Sequence, residues 1–312
     1  MFSKKLSHQI DQEYNRSNLM TEKSNIRSKN LDVLQTHELF KVFNDEDIIP
    51  QKAVTGASAQ IIKAIDEITK RLKDGGRLFY LGAGTSGRLG VLDAVECPPT
   101  FCTSPEMVQA YLAGGIEAMF KSSEGAEDDC DQSIIDLNSL NITKNDILIG
   151  ITAGGTTPYV VSALTFAREL GTLTVAISCV PEYQSSIPCD IDIRLLTGPE
   201  LITGSTRLKA GTATKMTLNI ISSSVMIKLG KVYGNKMIDL SVTNNKLLDR
   251  ALRIITDITG TDRENAFNLL SQSDGSVKVA LAMHLFSLAS KEAKDLLIKH
   301  KGNLRAAVNS FD

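Results

Sequence analysis

The stretch that decides the fold is Arg77–Arg88, RLFYLGAGTSGR. Arg77 to Leu81 form a short, largely apolar run, and such a run bounded by turn residues reads as a strand. It leads directly into Gly82-Ala83-Gly84-Thr85-Ser86-Gly87, a G-x-G-x-x-G loop that opens a helix. A strand, a glycine loop and a helix in that order are the first half of a βαβ unit.

Outward from this unit the same alternation continues. Four more apolar runs follow, Met107–Leu112, Asp146–Thr152, Leu173–Ser178 and Ile191–Leu196, with Asp128–Leu137 and Pro158–Leu170 reading as helices. Upstream, Ile61, Ile62, Ile65, Ile68 and Leu72 recur at helical spacing and Gly75-Gly76 ends that helix. Ser205 to about Leu229 reads as one long helix. Strands alternating with helices predict an α/β fold, a doubly wound five-stranded parallel sheet of order 2-1-3-4-5. Residues 1–50 are polar, with amphipathic hints over Leu31–Phe43, and read as an arm of short helices. After Asn244-Asn245 the pattern is helical throughout, over Lys246–Thr256, Arg263–Leu270, Ser276–Ser290 and Ala293–His300. The expected organisation is therefore an arm (1–50), the sheet domain (51–243) and a small helical domain (244–312).

Composition narrows the partners. The 312 residues carry 34 Lys+Arg against 36 Asp+Glu, interspersed, so the basic excess of a nucleic-acid binder is missing. With no Trp and 5% aromatics, neither stacked bases nor stacked neutral sugar faces are expected. The longest apolar stretches, Ile147–Ala153 and Val277–Leu285, fall well short of the ~20 residues of a spanning helix. Met1–Met20 has no apolar core of a secretory signal, so a cytoplasmic location is expected. Cys97, Cys102, Cys130, Cys179 and Cys189 are odd in number and lack any C-x-x-C, and His8, His37, His284 and His300 are dispersed. Neither a disulfide framework nor a metal site is suggested, and no cofactor is expected.

The glycine loop matches the dinucleotide pattern literally, but strand two ends in Leu112-Ala113-Gly114-Gly115, without the acidic residue that would hold a ribose. Thr85 and Ser86 instead set hydroxyls beside the open amides of a helix N-terminus, an arrangement that suits one phosphate monoester. Alone, the loop fits a phosphate site and a tight strand-to-helix turn equally well. Strand three ends in a second such loop, Thr152-Ala153-Gly154-Gly155-Thr156-Thr157-Pro158. In order 2-1-3-4-5, strands one and three flank the switch point where ligands bind, so the two loops should face one another.

Two acidic segments carry candidate chemistry. The helix after the first loop runs to Glu96-Cys97-Pro98-Pro99, and a proline pair should stop it, leaving Glu96 near a C-terminus in a position suited to general-acid work. Glu124-Gly125-Ala126-Glu127-Asp128-Asp129-Cys130-Asp131 precedes the next helix and on its own reads as a solvated cap.

The runs Leu81–Phe101, Glu124–Asp129 and Thr197–Lys215 closely resemble the N-acetylmuramic acid 6-phosphate etherases, a family with the sugar isomerase (SIS) phosphosugar-binding fold and relatives among glucokinase regulatory proteins. The resemblance implies cleavage of the lactyl ether of N-acetylmuramic acid 6-phosphate, giving N-acetylglucosamine 6-phosphate and D-lactate in cell-wall sugar recycling. It implies Glu96 and Glu127 as the catalytic pair. In the open-chain sugar the C3 oxygen lies β to the aldehyde, so the C2 proton is acidic; Glu127 would remove it, while Glu96 protonates the departing lactate oxygen and then activates water. Phosphate contacts are expected from Thr85, Ser86 and the Gly84 and Gly87 amides, and from Thr152, Thr156 and the Gly154 amide. Glu200, Ser205, Arg207 and Lys209 would help build the site, with helix capping and surface pairing as their structural alternative. The implied partners are a small phosphosugar and a second copy of the chain in a homodimer, with no nucleic acid and no membrane.

The chain departs from the family pattern in the second loop, where Gly154 and Thr156 stand in place of a Ser and an Arg. The segment before Met20 looks like an extension. Two other functions fit the fold: a phosphosugar isomerase, which does not require both glutamate motifs, and a non-catalytic phosphosugar sensor, which is typically built from two SIS modules where this chain has room for one.

Overall fold

The computed structural model describes residues 16–123, 125–240 and 242–311. Glu124 of the acidic segment and residues 1–15 of the arm, His8 included, lie outside the described residues. The chain divides into two compact units: residues through Ala64 with Leu78–Val91 and Ala110–Asn219, and Ile65–Arg77 with Leu92–Gln109 and residues from Ile220 onward.

The arm forms short 3-10 turns, Arg16–Asn18, Met20–Glu22, Ile26–Ser28 and Leu31–Val33, then α1 (Thr36–Glu46) and α2 (Ile48–Gly56). Glu38 starts α1 by accepting from the Gln35 amide at 2.8 Å. Helix α3 (Ser58–Lys73) ends as expected, at Gly75 in the left-handed region, with the Gly76 amide donating to the Arg71 carbonyl.

Five strands follow, β1 (Leu78–Gly82), β2 (Val108–Leu112), β3 (Ile147–Ile151), β4 (Leu173–Ser178) and β5 (Ile191–Arg194). They form one sheet of order β2-β1-β3-β4-β5, the anticipated topology, with β1–β3, β3–β4 and β4–β5 parallel. Strands β1, β3 and β4 are buried at every position, which explains their continuous apolar runs. Between the strands lie α4 (Gly84–Phe101), α5 (Cys130–Ser139) and α6 (Pro158–Glu169). Phe79 and Leu81 face a core with Leu137 of α5 and Tyr159, Ala163 and Leu164 of α6. Tyr80 points the other way, and Gly90 of α4 comes so close that a Cβ there would lie 2.8 Å from that of Tyr80. Helices therefore cover both faces.

Helix α7 (Lys209–Lys228) is followed by a hairpin, β6 (Val232–Tyr233) and β7 (Lys236–Met237), which the sequence pattern does not reveal. Helices α8 (Asn245–Thr259), α9 (Arg263–Gln272), α10 (Val277–Phe286), α11 (Ser290–Lys299) and α12 (Leu304–Val308) complete the chain. Side chains of Asn244, Asp262, Ser276 and Asn303 cap α8, α9, α10 and α12. Ala251, Leu252, Ile255, Ala280, Leu281 and Leu297 form their common core.

Two expectations are corrected. Helix α4 does not stop before Pro98-Pro99 but runs through both to Phe101. The two prolines forfeit only the bonds to the Ala94 and Val95 carbonyls, while the Cys102 amide closes the last turn on the Pro98 carbonyl at 2.9 Å and Cys102 itself turns left-handed. Helix α7 begins at Lys209 rather than Ser205, because Ser205 to Leu208 are taken up in tight turns (Ser205 N to Ile202 O, Leu208 N to Ser205 O) and the cap comes from further back.

Candidate active site

Gly82 at the end of β1 is the register partner of Ile151 at the end of β3, so the loops that follow the two strands leave the sheet side by side. The first loop is tight for a steric reason: a Cβ on Gly87 would lie 2.5 Å from the Gly82 carbonyl oxygen and 2.5 Å from Leu112 Cδ1. Gly84, left-handed and exposed, starts α4 with nothing packed over it. Thr85 and Ser86 are half-buried, and neither hydroxyl has a hydrogen-bond partner among the described residues. Free hydroxyls in the first turn of an 18-residue helix, beside its unpaired amides, constitute an anion-receptive corner. Thr85 also reaches α7, with its Cγ2 3.7 Å from where a Cβ on Gly211 would lie.

In the second loop the Thr152 hydroxyl is buried and bonded to the Thr157 hydroxyl at 2.8 Å, closing the loop on itself, while the Ala153 carbonyl accepts from the Cys179 amide. Gly154 and Thr156 are half-buried at its surface. The arm comes in here: Leu19 Cδ1 and Thr21 Oγ1 lie 3.6 and 3.8 Å from the position of a Gly154 Cβ, and Glu22 Oε2 lies 3.1 Å from that of Gly204. The Met20 amide is anchored on Gln184 Oε1 at 2.9 Å. Thr21 Oγ1 is a buried hydroxyl without a hydrogen-bond partner among the described residues. Sequence reasoning placed none of Leu19 to Glu22 at the site, because nothing local marks a polar arm as docking on a loop far along the chain.

Glu127 and the first loop meet. A cleft of about 350 Å³ is lined by Gly84, Arg88, Ser122, Ser123 and Glu127, within the size range of small-ligand sites. Glu127 stands on its own 3-10 turn, Ala126–Asp128, exposed, whereas Asp129 next to it caps α5 by accepting from the Gln132 amide. The acidic segment thus splits into a cap and a separate carboxylate. Arg88 holds the floor: its guanidinium donates to the carbonyls of Ala118 (2.7 Å), Met119 (3.1 Å) and Lys121 (3.2 Å). This positioning role was not legible, since Arg88 acts on backbone that only the fold brings to it. Glu96 lies further along α4 than Arg88, exposed, in the segment assigned to the second unit.

Glu200 and Lys209 are in a buried network. Glu200 is wholly buried and accepts from the Lys209 and Ala210 amides at 3.0 and 2.9 Å, which fixes the start of α7; its burial raises its carboxyl above the ordinary range despite those bonds. The Lys209 ammonium lies 2.6 Å from Glu46 Oε2 of α1. Asn25 and Arg27 also bond Glu46. Ser205 is half-buried in the turn before α7 and Arg207 is exposed there.

Residues 60–168 match the glucokinase regulatory protein N-terminal SIS domain, and residues 234–278 match the C-terminal lid domain of glucokinase regulatory protein. An N-acetylmuramic acid 6-phosphate etherase of Parasynechococcus marenigrum is 60% identical over 295 residues, 95% of this chain and 93% of that protein. One from Prochlorococcus marinus is 58% identical over 94% of this chain and 93% of its own length. One from a Nostoc species is 56% identical over 95% and 96%.

Proposed function

This chain belongs to the N-acetylmuramic acid 6-phosphate etherase family, and from that premise we propose how its residues carry out the reaction of a carbon–oxygen lyase. The substrate is N-acetylmuramic acid 6-phosphate; the lactyl ether at C3 is cleaved, and N-acetylglucosamine 6-phosphate and D-lactate leave. The observation that carries the residue-level reading is the cleft in which Gly84 of the anion-receptive loop and the exposed carboxylate of Glu127 share a wall.

The phosphate is bound by the Thr85 and Ser86 hydroxyls and the Gly84 amide, with Thr156 and the Gly154 amide opposite; the Gly87 amide, expected as a further contact, instead donates to the Ala83 carbonyl at 3.3 Å and closes the loop. Holding the charged end away from the reacting bond lets that binding energy position C2 and C3. Glu127 takes the C2 proton of the open-chain aldehyde. The electron pair left on C2 expels the C3 oxygen, Glu96 protonates the departing lactate, and the C2–C3 alkene conjugated with the aldehyde remains. Water activated by Glu96 adds at C3 and C2 is reprotonated, giving N-acetylglucosamine 6-phosphate. Arg88 supports this chemistry by holding the Ala118–Lys121 backbone that forms part of the cleft. Glu200, Ser205, Arg207, Lys209 and Thr152 act at one remove, by shaping the loops that touch the sugar.

We assign the enzyme to the cytoplasm; no helix among the described residues is long and apolar enough to cross a membrane, and five free cysteines suit a reducing compartment. We also assign it a homodimeric state, for which the exposed Ile116 and Phe120, 87% and 86% accessible beside the edge strand β2, provide an apolar face. Light scattering that reads a single-chain mass would overturn the dimer.

The test of function is direct. Purified protein given N-acetylmuramic acid 6-phosphate should release D-lactate, and in ¹⁸O-labelled water the new C3 hydroxyl should carry solvent oxygen. A folded preparation that releases no lactate refutes the reading.

A further inference from the structure

The second unit contains a basic cleft of about 580 Å³ that the etherase reaction does not use. Lys73 at the end of α3, Lys228 at the end of α7, Lys231 just beyond it, and Lys299 and Lys301 at the turn between α11 and α12 all line it. Five lysines around one cavity are not a reflection of general basicity, since the whole chain has 34 basic residues against 36 acidic ones.

The local carboxylates do not balance this charge. Lys228 pairs with Asp66 at 3.2 Å. Lys231 pairs with Asp239 at 3.1 Å, but the same Asp239 oxygen is 2.5 Å from the ammonium of the buried Lys278, so one anion serves two cations. Lys73, Lys299 and Lys301 have no carboxylate partner among the described residues. Gathering like charges is unfavourable in itself, and the cleft therefore holds an uncompensated positive potential.

Main-chain packing, not side-chain chance, sets the spacing. Lys301 is left-handed at φ 52° and Gly302 follows at φ 75°, a turn locked by bonds from the Lys301 amide to the Ile298 carbonyl and from the Gly302 amide to the Leu297 carbonyl. A lysine in that conformation is disfavoured relative to glycine, because its Cβ crowds the following carbonyl oxygen. Gly230, between Lys228 and Lys231, lies so close to the turn that a Cβ would meet Asn303 Cα at 2.9 Å. Lys278 ties the same turn from beneath, donating to the Gly302 carbonyl at 2.8 Å. The backbone that carries the lysines at the end of α7 and in the α11–α12 turn is thus held at a fixed separation.

From this geometry we propose that the cleft is a second anion site, one that binds a small phosphorylated metabolite. Lysine ammoniums match phosphate as point charges. Leu72, Met107, Leu229 and Ala306 supply an apolar wall, and among the lining residues the His300 imidazole is the single ring, with no Phe, Tyr or Trp to form a platform for successive bases, which favours a sugar-sized phosphate over nucleic acid. The site shares no lining residue with the cleft of Gly84 and Glu127.

Calorimetric titration of the full chain with inorganic pyrophosphate at low ionic strength tests it. The triple variant Lys73→Gln, Lys299→Gln, Lys301→Gln should lose one binding event per chain or weaken it about 30-fold or more, with lactate release unchanged. A control of equal charge, Lys41→Gln, Lys52→Gln, Lys63→Gln, should keep the wild-type isotherm. An unchanged isotherm in the first variant, or an equal loss in the control, overturns the proposal. In the unmutated protein the methyl resonance of Met107 should shift on adding pyrophosphate; a stationary resonance overturns the proposal without reliance on any variant.

Discussion

Lys209 and Glu46 form a 2.6 Å ion pair in which both side chains are nearly sealed from solvent, 4% and 3% accessible. Burial works against the charge of Glu46, but the Lys209 ammonium, through its hydrogen bond and its charge, with Asn25 and Arg27 assisting, outweighs it and holds the carboxyl below its ordinary value. Because Lys209 also opens α7, the pair joins the arm to the helix whose first turn lies beside Thr85.

Lys209→Met leaves Glu46 buried without its main cation and should cost about 3–5 kcal/mol at pH 7. The sign with pH is opposite in the two proteins. In the wild type the folded-state value of Glu46 is depressed, so its contribution is present above the ordinary value of 4.5 and is lost as pH falls through the folded value. In the variant, burial favours the protonated acid, so stability is regained on acidification and the gap to wild type narrows toward pH 4. Urea midpoints at pH 7 and pH 4 check this; a gap that widens on acidification would sink the argument.

Arg88→Ala removes three bonds to backbone carbonyls at once, and the loop Ala118–Lys121 should loosen. The expected loss is about 1.5–3 kcal/mol of stability, with kcat falling more than the affinity for the phosphosugar, since the phosphate loop itself remains. Arg88→Lys should recover little, because an ammonium cannot span the same three oxygens. Hydrogen exchange at residues 118–121, read together with kcat and KM, separates this from a general loss of fold.

The two glycines of the second loop should respond in opposite ways. At Gly154 an added Cβ makes only ordinary contacts, so Gly154→Ser fits, and its hydroxyl adds a donor beside Thr156 and Thr21. Stability should change by no more than about 0.5 kcal/mol, with KM for the phosphosugar reduced about 2- to 10-fold. At Gly155, φ is 74° and a Cβ would lie 2.7 Å from Ser185 Oγ, so Gly155→Ala should be destabilising by more than 1 kcal/mol, roughly, and poorly expressed. A Gly154→Ser protein with raised KM would show that the glycine is itself a specificity feature.

What could be read before the structure follows a physical divide. Strands β1, β3 and β4 were legible because burial on both faces forces continuous apolar runs, β2 and β5 at the sheet edges because turn residues bound them, and the loops after β1 and β3 because tight turns demand glycine. Glu127 stood out only through its family motif, since a carboxylate before a helix is locally indistinguishable from a cap such as Asp129. Arg88 on the Ala118 carbonyl, Glu46 under Lys209 and Thr21 against Gly154 join residues remote in sequence, so no periodicity or spacing could reveal them. Passage of α4 through Pro98-Pro99 went unseen for a related reason: a proline pair is a strong local stop, overridden only because the turn closes from Cys102.

The division of labour between Glu96 and Glu127 can be read from hydrogen isotopes. In deuterated water, a Glu96→Gln enzyme retains the C2 base but lacks the acid that releases lactate, so the carbanion returns to substrate and unreacted N-acetylmuramic acid 6-phosphate should gain deuterium at C2. Glu127→Gln should show neither wash-in nor lactate. Both variants should lose about 10²- to 10⁴-fold in kcat, the usual contribution of a positioned acid or base. Since both carboxylates are exposed and neither is bonded to another described residue, the substitutions should leave the melting temperature within a degree or two, roughly. Wash-in with Glu127→Gln and none with Glu96→Gln would reverse the two roles while keeping the pair.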